Sequence, residues 1–338
     1  MMAMDCNLWA IVLAAGEGVR LRELTTRPDG QCVPKQYCSL NGSPSLLRQA
    51  LARAYALAGR NRTTAVVAES HRQWWQPDLA ELPRSNVIVQ PCNRGTACGL
   101  LLPLLTILGR DPDAVVLVLP SDHVVADEDV LARAAACAVR EVQEGPDSGS
   151  LILLGVEPQW ADQGYGWVVP GEPAELGSRA VVSFLEKPGR EAIEGLMRRG
   201  ALWNSFIFVA RGLALLTLFE SVMPWLVRLF RHTLVGGGGD GRRPSLEGLF
   251  EQLPTLDFSQ SVLQQAPDRL RVLPVPPCGW SDVGTPERVA DWVARGIPCP
   301  FDEAPAGSHA PPLDLAVAIG QRRGRDHVLE TRAGTDPS

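Results

Sequence analysis

The stretch Trp9 to Gln36, WAIVLAAGEGVRLRELTTRPDGQCVPKQ, joins a small-residue loop to two cations. An apolar run ends at Leu13-Ala14, and Ala15-Gly16-Glu17-Gly18-Val19 follows at once. Arg20 closes the loop, and Lys35 returns behind Pro34. Glycines carry no Cβ, so backbone N–H groups there can approach an anion closely. Such a loop beside Arg20 and Lys35 suits a polyphosphate. It is not a Walker loop, because GxxxxGK[ST] is absent. Gly16 and Gly18 fit the start of a dinucleotide fingerprint, but Leu21 stands where its third glycine belongs. The same residues would also serve as a plain strand-to-loop connection with solvated cations.

Acids recur at the ends of apolar runs. Pro120-Ser121-Asp122-His123 follows AVVLVL, and Trp280-Ser281-Asp282-Val283-Gly284 lies far along the chain. Two carboxylates meeting over a polyphosphate would suit Mg²⁺, which takes carboxylate, phosphate and water oxygens. Each aspartate could equally cap the element after it. His123 is assigned no catalytic role. Glu186-Lys187-Pro188 also ends a strand-like run. That Glu could accept sugar hydroxyls while Lys187 holds a phosphate, or the two could be a solvated surface pair. Gly164-Tyr165-Gly166 offers a turn that could lie against a sugar ring, and Asn204 an amide able to donate to and accept from hydroxyls.

These residues must be positioned by the elements between them. Strand-like and helix-like patterns alternate through the first half: Ser45–Ala58 helical with Gly59 as its stop, TAVVA from Thr64 a strand, Asn86–Gln90 a strand, Gly95–Leu108 helical. Pro103 should kink that last helix or mark its true start. Ala114–Leu119 reads as a buried strand and Asp127–Glu144 as a helix. This order predicts a mostly parallel sheet with helices on both sides. In the second half Leu151–Val156, Trp167–Val169, Val181–Leu185, SFIFV within Ala201–Ala210 and Leu270–Val275 read as strands, with helices at Glu191–Arg199 and two within Leu213–Leu234. Thr285-Pro286 reads as an N-cap and first residue for Glu287–Ala294. Gly236–Gly239 reads as a flexible loop, and residues 297–338 as a poorly ordered Pro/Gly-rich tail.

Composition bounds the partners. A chain of 338 residues that is 45% hydrophobic can build a sizeable core. Its net charge of −6 and lack of a long basic run argue against nucleic acid. None of the eight cysteines forms a CxxC pair, which points to reduced thiols in a cytoplasmic protein. The longest apolar stretch, Gly99 to Gly109, is interrupted by Pro103 and too short to span a bilayer. Homo-oligomer formation is left open.

In order, the chain carries LAAGEGVRL, PKQY, RGTA, LPSDHVV, GYGWV, FLEKP, WNSFIF and GWSDVGT. That series resembles the sugar-nucleotide pyrophosphorylases, most closely mannose-1-phosphate guanylyltransferases, from about Trp9 to Val289. The resemblance implies an α/β, Rossmann-like nucleotidyltransferase domain over residues 1–296, with a mostly parallel central sheet flanked by helices. It implies transfer of a nucleotidyl group from GTP to mannose 1-phosphate, giving GDP-mannose and pyrophosphate with Mg²⁺. Ala14, Ala15, Gly16 and Gly18 would then hold the nucleotide, with Gln90, Gly95 and Thr96 around its base. Arg20, Lys35, Asp122, Lys187 and Asp282 would form the catalytic set, with Asp122 and Asp282 on the metal. Gly166, Glu186 and Asn204 would face the sugar, and Lys187 its phosphate.

The sequence departs from the family pattern in places. Phe206 stands for the usual glycine after Asn-Ser, Val19 for a threonine, Arg22-Glu23 for Trp-Pro, and Gly95 and Cys98 for Asn and Pro. The isomerase domain of longer relatives is missing, so no mannose-6-phosphate isomerase activity is expected. Another hexose 1-phosphate or another triphosphate is the alternative within the class. A catalytically silent nucleotide-sugar sensor and a nicotinamide-dependent oxidoreductase are the alternatives outside it.

Overall fold

Among the described residues, nine strands form one sheet: β1 (Leu8–Ala14), β2 (Thr63–Ala68), β3 (Val87–Gln90), β4 (Val115–Pro120), β5 (Leu151–Val156), β6 (Gly166–Pro173), β7 (Arg179–Glu186), β8 (Leu202–Arg211) and β9 (Leu270–Val275). The computed structural model describes residues 7–40, 42, 44–145, 149–174, 176–235 and 245–295. Strand order is β3-β2-β1-β4-β8-β5-β9-β7-β6, with a further β8–β6 pairing. The half from β3 to β4 is wholly parallel, as the alternating pattern predicts. The second half adds antiparallel pairings of β8 with β4, β5 and β6, and of β7 with β6 and β9, while β5 and β9 run parallel.

The parallel half follows from composition. β2 and β4 are buried at every residue, and β1 at all but one. Near-continuous apolar runs of this kind need cover on both faces. Apolar clusters lie on either side. One holds the Leu46–Ala58 and Glu128–Glu144 helices, the other the Gly95–Leu108, Gly212–Val222 and Pro224–Val235 helices.

Caps fall where the sequence puts them. Ser45, Asp127 and Thr285 each accept a hydrogen bond from the first turn they precede, and Pro286 is the first residue of its helix. Pro103 is no start: the helix begins at Gly95 and passes through it. The sequence pattern missed the Leu246–Gln252 helix and the turn at Phe258–Ser261. The expected loop at Gly236–Gly239 and the expected tail at 297–338 lie outside the described residues. Among the described residues, no single helix is long and apolar enough to cross a membrane.

Candidate active site

The parallel strands β1, β2, β3 and β4 end on one edge, and the motifs gather there. The glycine loop leaves β1 held from behind by PKQY. Gln36 Nε2 donates to the carbonyls of Ala14 at 3.0 Å and Gly16 at 2.8 Å, and Tyr37 Oη to Ala14 at 2.9 Å. Sequence reasoning used PKQY for Lys35 and missed these props. Gly18 has φ +61°, and a Cβ on it would lie 3.1 Å from the Lys35 nitrogen, so the loop needs glycine there.

Asp122 and Asp282 are brought together by a bridge between Val124 and Ser281, which exchange backbone hydrogen bonds of 2.9 and 3.0 Å. Lys35 sits between them. Its buried Nζ is 3.0 Å from Asp122 Oδ2 and donates to the Asp282 carbonyl at 2.6 Å. Asp282 is further held by Arg288, whose Nη1 donates to both its oxygens at 2.7 and 2.8 Å, and by Tyr165 Oη at 2.9 Å. Burial works against the Asp282 charge, but Lys35 and Arg288 outweigh it and hold the carboxyl down to about 2. Burial pushes His123 down to about 4, so it is a neutral imidazole at pH 7; its Nδ1 accepts from Trp280 Nε1 at 3.3 Å. Arg20 makes no ion pair among the described residues. Its guanidinium lies over Gly284, 3.2 Å from where a Cβ would stand.

The donor set is right for a hard divalent cation: two ionised carboxylates, of which the Asp122 side chain is 41% exposed. No group of three or more His, Cys, Asp or Glu that could hold a metal occurs among the described residues. An ion here would therefore take its remaining oxygens from phosphate and water, as Mg²⁺ commonly does.

A cavity of about 330 Å³ runs along this edge, from Gln90 past the glycine loop and Asp122 to Phe206 and Asp257. Gln90 is fully buried, and neither its amide oxygen nor its amide nitrogen has a partner among the described residues. A buried amide left unpaired costs stability unless something pairs with it. Gly95 and Thr96 line the same cavity, but Thr96 Oγ1 already accepts from the Phe258 N–H at 2.7 Å. Residues 255–258 form a strap over this helix start. Leu256 N–H donates to the Arg94 carbonyl and Ala97 N–H to the Leu256 carbonyl, each at 3.0 Å. The strap brings Thr255 and Asp257 into the cavity, which sequence reasoning missed.

Gly166, Glu186 and Asn204 cluster beyond Phe206. A Cβ on Gly166 would lie 2.5 Å from Glu186 Oε2 and 3.3 Å from the Asn204 Cβ. Burial raises the Glu186 carboxyl above its usual range, although Lys187 Nζ, 2.9 Å from Oε1, opposes the shift. Asn204 Oδ1 accepts from the Phe206 N–H at 3.1 Å, leaving its NH₂ group as donor. The described non-glycine residues with positive φ are Lys187, Phe206 and Val283, at 48°, 60° and 36°. All three adjoin or belong to the candidate site. Strain of this kind persists where the surrounding structure enforces it, and it concentrates at ligand sites.

Known proteins resemble this chain over most of its length. Mannose-1-phosphate guanylyltransferase 2 of Escherichia coli O157:H7 is 30% identical over 295 residues, covering 83% of this chain and 59% of its own length. Xanthan biosynthesis protein XanB of Xanthomonas campestris pv. campestris strain B100 is 29% identical over 81% of this chain and 57% of its own. The chain thus spans under two thirds of these relatives. A Thermus thermophilus crystal structure described as mannose-1-phosphate geranyltransferase superposes with a TM-score of 0.72 at 27% identity, covering 84% of this chain and 79% of that one. The nucleotidyl transferase family model matches residues 9–294, taking in every element just described from the glycine loop to the Arg288 helix, and the chain belongs to that family.

Proposed function

We propose that this chain transfers a guanylyl group from GTP to mannose 1-phosphate, giving GDP-mannose and pyrophosphate with Mg²⁺, in the cytoplasm. The observation that carries the reading is the strand-edge cavity: an unpaired buried amide at Gln90, a glycine loop, then an acid, Asp122. A nucleobase edge offers both a donor and an acceptor to such an amide. Gln90 can serve several bases, so the choice of GTP and mannose rests on what the similar proteins are named for. The buried unpaired thiols of Cys38, Cys98 and Cys278 support a reducing, cytoplasmic setting.

The sugar-phosphate oxygen attacks the α-phosphorus in line, and pyrophosphate leaves. A phosphate monoester has its second pKa near ~6, so the nucleophile is already ionised at pH 7. No general base is needed, which agrees with a neutral His123 beside the acids. Two polyanions must be brought together: unit charges 4 Å apart repel by about 4 kcal/mol at an effective dielectric of 20. Arg20 over Gly284 and Lys187 beside Glu186 offset that repulsion, and Lys35 does so by exchanging its Asp122 contact for a phosphate oxygen. Asp122 and Asp282 would hold Mg²⁺, which when bound would supply charge neutralisation on the phosphate oxygens. Glu186, Gly166 and Asn204 orient the sugar. Phe206, held at φ 60° at the sugar end of the cavity, favours a second reading in which another hexose 1-phosphate is the acceptor.

The test is pyrophosphate release with Mg²⁺ across four nucleoside triphosphates and several hexose 1-phosphates. A peak at GTP with mannose 1-phosphate is expected. A peak at another pair keeps the mechanism and moves the substrate. Silence from folded protein across the grid overturns the reading.

A further inference from the structure

Arg288 lies in the first turn of the Pro286–Ala294 helix, buried, and outside every motif picked out of the sequence. Its guanidinium has acids on two edges and a ring on its face. Nη1 donates to both Asp282 oxygens, Nη2 is 2.6 Å from Asp162 Oδ2, and Cζ lies 4.0 Å from the centroid of Tyr165. Tyr165 Oη donates back to Asp282 Oδ1. Asp162 builds the turn before β6: its Oδ1 accepts from the Gly164 N–H at 2.7 Å and its carbonyl from Trp167 Nε1 at 3.0 Å. A Cβ on Gly164 would lie 2.6 Å from Arg288 Nη2, so glycine there lets the arginine in. On the other side, Asp282 Oδ1 accepts from the Gly284 N–H at 3.1 Å.

One guanidinium therefore ties the loop that carries Asp282 to the turn that leads into Gly166. Without a cation between them, Asp162 and Asp282 would meet as like charges. Only arginine presents a planar fork that can grip acids on two edges while its face stacks on a ring; lysine offers a single compact charge. We propose that Arg288 is a positioning residue, which holds the phosphate-side acid and the sugar-side turn in one register so that both substrates are presented together. This rests on the nucleotidyltransferase reading of the cleft. Arg288 does not line the Gln90–Asp122 cavity, so its loss should misalign the reaction and spare nucleotide binding.

The experiment compares the 338-residue wild-type chain with R288K, D162N and the double variant. R288K keeps the buried positive charge and loses the double grip. Its kcat should fall by roughly 100-fold, the scale on which a small misplacement of reacting groups acts, with GTP affinity by isothermal titration unchanged. D162N should fall less, and the double variant no further than R288K, because the two act through one contact. Amide hydrogen exchange reads the same register without turnover. Gly164 and Gly284 should exchange faster in R288K while β1 and β4 keep their protection. Wild-type kcat with wild-type protection at both glycines would overturn the proposal. So would GTP affinity falling in step with kcat as protection is lost across β1 and β4, the mark of a merely structural arginine. If R288K does not fold, D162N carries both readouts. If wild type itself releases no pyrophosphate, the functional reading fails, and exchange at the two glycines alone decides the positioning claim.

Discussion

Asp122 and Asp282 look alike in sequence but carry different amounts of structure. Asp122 meets Lys35 at its partly open end, while Asp282 is gripped by Arg288, Tyr165 and the Gly284 amide. Asp122→Asn and Asp282→Asn should each lower turnover by about 10²–10³-fold, the scale of lost electrostatic stabilisation. Their stabilities should part. An amide at position 122 can still accept from Lys35, whose buried Nζ keeps the Asp282 carbonyl as a second acceptor, so about 1–2 kcal/mol should be lost. At position 282 it leaves a buried guanidinium short of one partner, and about 3 kcal/mol should be lost. Chemical denaturation beside pyrophosphate release checks both, and near-normal turnover in either variant would remove that acid from the mechanism. Phe206 poses a different question. A side chain at φ 60° costs about 1–2 kcal/mol, and its ring contacts with Phe208 and Phe258 return about 0.5–1.5 kcal/mol each. Phe206→Gly relieves that strain but gives up those contacts and the burial of a ring packed on the core, so it should cost about 1–3 kcal/mol. Its effect should appear as a narrower spread of kcat/KM among hexose 1-phosphates. An unchanged spread would mean that the ring has no part in choosing the sugar.

At the scale of elements, the strap at residues 255–258 decides where the Gly95–Leu108 helix begins. Gly95 has φ +82°, and a Cβ there would overlap the Leu256 carbonyl oxygen. Gly95→Ala should cost roughly 2 kcal/mol or more, from strain and displaced backbone together. It should also raise KM for the nucleotide, because Gly95 and Thr96 line the cavity. Thermal denaturation and nucleotide kinetics are the measurements, and wild-type values for both would show the strap to be dispensable. The strap also marks what could be read from the sequence. Buried strands such as AVVLVL and capped helices such as Thr285-Pro286 announce themselves through local periodicity and local hydrogen bonds. The acids Asp122 and Asp282, in PSDH and GWSDVG, are equally legible as candidates. That Gln36 and Tyr37 hold the glycine loop, that Leu256 crosses Gly95, and that Arg288 joins Asp162 to Asp282 are contacts across long sequence separations. No spacing rule within a strand or helix encodes them. The antiparallel β8 inserted between β4 and β5 is of the same kind, because strand order depends on pairings that local pattern does not specify.

At the scale of the whole molecule, stability and function compete at Glu186. Its carboxyl, 11% exposed, is raised above the ordinary range because burial disfavours its charge, with Lys187 opposing. The sign follows from proton linkage. Between the unfolded carboxyl value and the raised folded value, the native state binds more protons than the unfolded chain. The stabilising contribution of the protonated group is therefore complete below the unfolded value and lost as pH rises through the folded one. At pH 7 the native protein holds a desolvated carboxylate, which a neutral isostere would not carry. Glu186→Gln should then raise Tm at pH 7, and the gain over wild type should shrink as pH falls through that window. The same charge is what a sugar hydroxyl donates to, so kcat/KM for the sugar phosphate should drop in the variant. In wild type its acid limb should lie above the usual carboxylate range. Parallel pH series of Tm and of kcat/KM test the two halves separately. A Tm gain that is absent, or that grows toward acid pH, would refute the burial argument. A flat acid limb would free Glu186 from any duty toward the sugar while leaving its energetics intact.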